Sequence, residues 1–128
     1  MPIKKREESR ADLMARLTQP KKRSEKEISE SEVKAKIRKW LSEAFGEELA
    51  HFHYSARGGA PGVSDRICCY KGKFIGIEAK RPSKRNHKDG GQAADQRSFE
   101  KTIRAAGGHY ILAHSLDDVK EYFNKYLA

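Results

Sequence analysis

The sequence predicts an α/β domain whose elements run helix, three strands, helix, strand, helix, behind a basic tail. Three observations predict it. Apolar residues recur at helical spacing from Val33 to Phe45, two short apolar runs face each other across Lys71-Gly72, and residues 93–127 switch from a helical pattern to a strand and back.

Residues 1–29 are charged and poor in apolar side chains, with "PIKKREESR" and "PKKRSEKE", so they read as a basic, flexible tail. Leu13, Met14 and Leu17 allow an amphipathic turn or two before Pro20 ends it. In "ESEVKAKIRKWLSEAF" Val33, Ile37, Trp40, Leu41, Ala44 and Phe45 line one helical face, and Gly46 loosens or stops that helix. "HFHYSA" alternates as a strand, and "RGGAPG" is a loop. "GVSDRICCYKGKFIGIEAK" is a hairpin, followed by the basic loop "RPSKRNHKDGG". "AADQRSFEKTIRAAGG" is a helix with a glycine stop, "HYILAH" a strand, and "SLDDVKEYFNKYL" a helix opened by a Ser or Asp cap.

The 128 residues suit one domain with a modest core. Lys and Arg outnumber Asp and Glu by 27 to 18, for a net +9, a balance that attracts polyanions. Nucleic acid is the leading partner class, although a binder of acidic proteins shares this balance. Cys68 and Cys69 are adjacent, and strand neighbours point to opposite faces, so both are read as free thiols of a reducing compartment. No apolar run reaches the length of a signal-peptide core or a membrane span, so a cytoplasmic protein is expected.

The hairpin holds an oddity. If Lys71 and Gly72 are the central residues of a tight turn, Tyr70 pairs with Lys73, and counting outward sets Asp65 directly opposite Glu78. Such residues share a face with Cβ atoms roughly 4.5–5.5 Å apart, and like charges so placed repel. Lys80 joins them by alternation. A divalent cation between the carboxylates relieves the repulsion, since Mg²⁺ takes one or two carboxylates with waters and phosphate oxygens. A one-residue change in the turn would move Glu78 to the other face, so the inference depends on the register. Glu30 opens the apolar face of the first helix, and Gln96 shares a face with Phe99 and Ile103. Taken singly, Glu30 also suits a helix N-terminus, and Gln96 a half-exposed helix start. Arg81, Lys84, Arg85 and Lys88 put positive charge just past the Glu-Ala-Lys strand, where a phosphate backbone would pass, and Arg57 lies beside glycines that permit close approach. His51 and His53 share a strand face but lack a third ligand nearby, so packing or surface roles are expected of them.

Asp65 and, thirteen positions on, Glu78-Ala79-Lys80 form a D-(x)n-E-x-K pattern that resembles the PD-(D/E)xK nucleases. With the helical Glu30, the approach "GGAPGVSD", the Gln-led "DQRSFEKTIRAAGG" and "HYILAHSLDDVKEYF", the chain is similar to the VRR-NUC branch over residues 30–123. Ser64 stands where the family name has Pro. The resemblance implies a restriction-endonuclease-like mixed sheet with flanking helices over residues 30–128, cutting DNA phosphodiesters with Mg²⁺ or Mn²⁺. It would make Asp65, Glu78 and the Ala79 carbonyl metal ligands, with Glu30 binding directly or through water. Lys80 would orient the attacking water, and Gln96 would position that water or a phosphate. It points also to a homodimer acting on branched DNA such as Holliday junctions, in a bacterial or phage-infected cell. The last helix or the stripe near Trp40 is the expected interface. The alternatives are a non-catalytic nucleic-acid-binding domain and a nuclease of the same core with restriction-type or flap specificity.

Overall fold

The computed structural model describes residues 9–11, 13–14, 24–55 and 59–128. Within the tail Leu13 and Met14 are helical and exposed, whereas Leu17 and Pro20 lie outside the described residues. The turn Glu25–Glu27 and Ile28 already pack on the domain, ahead of Glu30.

Helix α1, Glu30–Phe45, forms as its apolar spacing predicts. The Ser29 side chain accepts from the Glu32 N–H, and Gly46, at φ 54°, ends the helix in a backbone conformation that only glycine adopts freely. Val33, Ile37 and Leu41 are buried. Strands β1 (Leu49–His53), β2 (Arg66–Tyr70), β3 (Lys73–Ala79) and β4 (His109–Ala113) make one four-stranded sheet in the order β1-β2-β3-β4. The first three are antiparallel and β4 runs parallel to β3, so the sheet is mixed and open. A parallel return needs a crossover, and helix α2 (Ala94–Ala105) lies on it. Ser115 caps helix α3 (Leu116–Tyr122), which runs into a wider last turn, Phe123–Leu127. Strand β1 starts earlier than "HFHYSA" suggests because buried Leu49 anchors it.

The two sheet faces differ. Ile75, Ile77, Ala79, Ile111 and Ala113 join α1 residues and Val119, Phe123 and Leu127 in the core. Trp40, Phe45, Tyr70 and Phe123 stack beside it, so the stripe near Trp40 and the inward side of the last helical turns are packed within the domain. On the other face α2 covers only β3 and β4. There Phe99 meets Tyr110, and Gly76 leaves room for Ser64, whose hydroxyl would lie 2.7 Å from an added Cβ. Phe52 and Phe74 stay exposed on the β1–β3 half. No helix among the described residues is long and apolar enough to cross a membrane.

Candidate active site

Register comes first, because it decides which side chains meet. Lys71 (φ 51°) and Gly72 (φ 76°) are both left-handed, as a two-residue turn of the favoured hand requires. Tyr70 pairs with Lys73 and Arg66 with Ile77, which brings Asp65, one residue before β2, level with Glu78.

The two carboxylates are laced together through the backbone. The Asp65 N–H donates to Glu78 Oε2 at 3.1 Å, and the Ala79 N–H donates to Asp65 Oδ2 at 2.9 Å. They do not lie side by side on one face, as strict alternation across the hairpin predicts. Glu78 turns to the α2 face, whereas the other oxygen of Asp65 reaches Lys34 on α1 at 3.3 Å. The reason is local: Asp65 precedes the strand, so alternation does not fix its side chain.

Glu78 is 3% exposed. Gln96 Nε2 donates to its Oε1 at 2.9 Å, and the Lys80 ammonium stands 3.6 Å from the same oxygen. Burial pushes its carboxyl up to about 7, and the negative charges of Asp65 and Glu30 push the same way, against the pull of Lys80 and the Asp65 amide. Gln96 is the third residue of α2, and its Oε1 accepts from the Ala93 N–H at 2.9 Å. One side chain therefore caps the helix and holds Glu78. Lys80 is fixed by its own amide, which donates to the Ala113 carbonyl at 2.8 Å. Ala79 turns its methyl into the core.

Glu30 enters through an intermediary. Lys34, one helical turn on, lies 3.4 Å from Glu30 Oε2 as well as 3.3 Å from Asp65 Oδ1. Burial opposes the Lys34 charge, but Asp65 and Glu30 outweigh it and hold the ammonium above the ordinary lysine range. Sequence reasoning passed over Lys34, although its i+4 spacing from Glu30 was a signal. Among the described residues no group of three or more His, Cys, Asp or Glu side chains is gathered as a ready-made metal cage. The donors stand instead as a pair of hard oxygen ligands, Asp65 and Glu78, with Glu30 across Lys34. Carboxylate oxygens are the donor type that Mg²⁺ and Mn²⁺ take, although here Asp65 and Glu78 turn to different sides of the strand end.

The basic loop is only partly free. Arg85 is committed to α3, with its guanidinium 3.1 Å from Asp118 Oδ1 and donating to Ser115 Oγ at 3.4 Å, so it does not stand as an open phosphate contact. Lys84 and Lys88 line an open cleft with His87, Gln92 and Arg97, next along α2 from Gln96. Arg97, which charge-run reasoning missed because it lies beyond the loop, pairs with Asp89 at 2.9 Å. The loop is pinned where His114 Nε2 meets the Gly90 carbonyl at 2.8 Å. Arg81 is exposed at its start, and Arg57 lies outside the described residues. His51 is held between Ser42 and Arg66 at 2.9 Å each, and burial, Arg66 and Arg38 keep its ring below the usual histidine range, consistent with packing. Cys68 is a buried free thiol and Cys69 an exposed one.

Comparison with family models, with curated proteins and with solved structures finds no match to this chain.

Proposed function

We propose that this chain is a Mg²⁺- or Mn²⁺-dependent endodeoxyribonuclease with a restriction-endonuclease-like core of the VRR-NUC type. The observation that carries the reading is the meeting of Asp65, Glu78, Lys80 and Gln96 at one end of the sheet, with Arg97, next along α2, lining the cleft of Lys84 and Lys88. Hydrolysis joins a water oxygen to phosphorus and breaks one P–O bond to the sugar, which leaves with a proton. A bound divalent ion would lower the pKa of that water and draw charge from the phosphate oxygens. Asp65, Glu78 and the Ala79 carbonyl would hold it, with Glu30 joining directly or through water.

The protein's own groups supply the rest. Lys80, a compact charge with three donors, orients the water and meets charge gathering on the phosphate. Gln96 acts through Glu78: its amide fixes the carboxylate's direction, which makes it a positioning residue. Lys84, Lys88 and Arg81 attract the phosphate backbone without reading sequence. Since the described residues carry one such centre, two cuts in a branched substrate such as a Holliday junction would come from a homodimer. Of the two interfaces expected from sequence, the Trp40 stripe is taken up by the core, leaving the outer side of the last turn, where Tyr126 is 52% exposed.

The test is a cleavage panel on four-way junctions, flaps, nicked and linear duplexes with Mg²⁺, Mn²⁺ or EDTA, alongside light scattering. Metal-dependent cutting of junctions ahead of linear duplex, by a dimer, is expected. Glu78→Ala and Lys80→Ala should each lose cutting by more than about a hundredfold while still binding DNA. Cutting by either variant at the wild-type rate would sink the assignment. DNA binding without cleavage in any metal would return the protein to the non-catalytic alternative. A 14.6 kDa species alone at micromolar concentration, with no junction preference, would remove the dimer.

A further inference from the structure

Lys34 is not part of the D…ExK pattern, yet it touches two of the three acids at the site. Its ammonium lies 3.4 Å from Glu30 Oε2 and 3.3 Å from Asp65 Oδ1, and its side chain is 34% exposed. Lys80, the other lysine of the centre, is 11% exposed and faces Glu78. The two cations divide the carboxylates between them: Lys80 takes Glu78, and Lys34 takes Glu30 and Asp65.

We propose that Lys34 is a resident counter-ion that holds Glu30 and Asp65 in the metal-free protein and competes with a divalent cation for both. The inference rests on the nuclease reading, in which those acids serve the metal. Three features separate Lys34 from an ordinary surface ion pair. It bridges two elements, α1 and the start of the hairpin, so it sets the distance between acids that no backbone ladder joins. It meets two carboxylates at once, whereas Lys39 and Lys80 each meet one, so no single pair holds it. Its charge sits at the end of a four-carbon stem with solvent beside it, so the ammonium can withdraw without disturbing the helix. The i,i+4 contact to Glu30 is a partly exposed pair of the weak kind and is readily given up. A cation with twice the charge arriving at Asp65 would displace it.

The consequence is a metal affinity held below what the carboxylates alone would give, in exchange for a site whose acids stay in place without metal. Calorimetric titration of Mn²⁺ into the full chain, without DNA and at fixed ionic strength, tests this on wild type, Lys34→Met and Lys39→Met. Lys39 pairs with Glu43 on an exposed part of the same helix and controls for net charge. Lys34→Met should bind Mn²⁺ about tenfold tighter, the effect of one unit charge removed at close range, and Lys39→Met within about twofold of wild type. In EDTA, Lys34→Met should unfold at lower urea than wild type, and saturating Mn²⁺ should erase that deficit. Lys34→Gln carries the same expectation should the Met variant fail to fold. Wild type that binds Mn²⁺ while the Lys34 variants bind no tighter, or while Lys39→Met tightens equally, overturns the role of Lys34 alone. No Mn²⁺ binding by any form overturns both it and the nuclease reading.

Discussion

Glu78 is where burial and charge conflict most directly. Its carboxyl is raised from 4.5 to about 7, so the folded protein holds the proton more tightly than the unfolded chain does. The sign follows: stability linked to this group is fully present below about pH 4.5 and is lost as pH rises through about 7. The loss is on the order of 3 kcal/mol. Glu78→Gln keeps a polar group for the Asp65 amide and removes the titration. Urea unfolding in EDTA should therefore show that variant gaining on wild type between pH 5 and pH 8. Parallel curves across that range would mean that the carboxylate is not held as described. Glu78 could be placed from sequence because a two-residue turn fixes everything paired outward from it. Lys34 could not, because its partner Asp65 is supplied by tertiary packing, and helix periodicity says only that Lys34 flanks the apolar stripe.

Among the elements, the approach loop and α2 depend on one close approach. Gly62, at φ 81°, lies against the Asp95 carbonyl, and a Cβ there would collide with that backbone. Asp95 precedes Gln96, and the loop leads through Ser64 to Asp65. Gly62→Ala should therefore cost about 1–3 kcal/mol, from the left-handed backbone and the clash together. It should also lower cleavage by parting Gln96 from Glu78, whereas Gly107→Ala, a left-handed glycine with open space around it, should lose stability alone. Equal loss of cleavage in both would show that loop and helix are not coupled at this point. The bounds of α1 and of the hairpin were legible because an apolar helical stripe, a glycine stop and a Lys-Gly turn mark them. The start of β1 was not. It is an edge strand with one buried residue, Leu49, so its alternation is too weak to mark its ends.

For the whole molecule, the net charge of +9 counts for less than where the cations are free. Lys84 and Lys88 face an open cleft, whereas Arg85 is tied to Asp118 across to α3. Neutralising Lys84 and Lys88 together should reduce the slope of log binding constant against log salt by about 0.9 for each phosphate that is no longer neutralised, equally on every DNA sequence. Arg85→Ala should leave that slope nearly unchanged and lower stability by about 1 kcal/mol, through the hydrogen bonds it makes at the start of α3. A slope insensitive to the double variant would place the DNA path elsewhere. The charge run in the sequence located the basic loop. It could not separate Arg85 from its neighbours, because Asp118 is distant along the chain.

The lacing of Asp65 and Glu78 through each other's backbone has a bearing on how the chain acquires its structure. Those two residues meet when one hairpin zips, a local event on the scale of microseconds. Gln96 arrives only with the crossover that sets β4 beside β3, and Lys34 only when α1 docks; pairings this far apart along the chain form more slowly. The acids thus meet, with Lys80 beside Glu78, before the Gln96 amide and the Lys34 ammonium are in place. Repulsion between them would then weigh on the barrier to folding more than on the barrier to unfolding, and above neutral pH Glu78→Gln would refold faster than wild type while unfolding at a similar rate. In that order of events the centre is first assembled with Lys80 alone offsetting its negative charge, and further relieved afterwards.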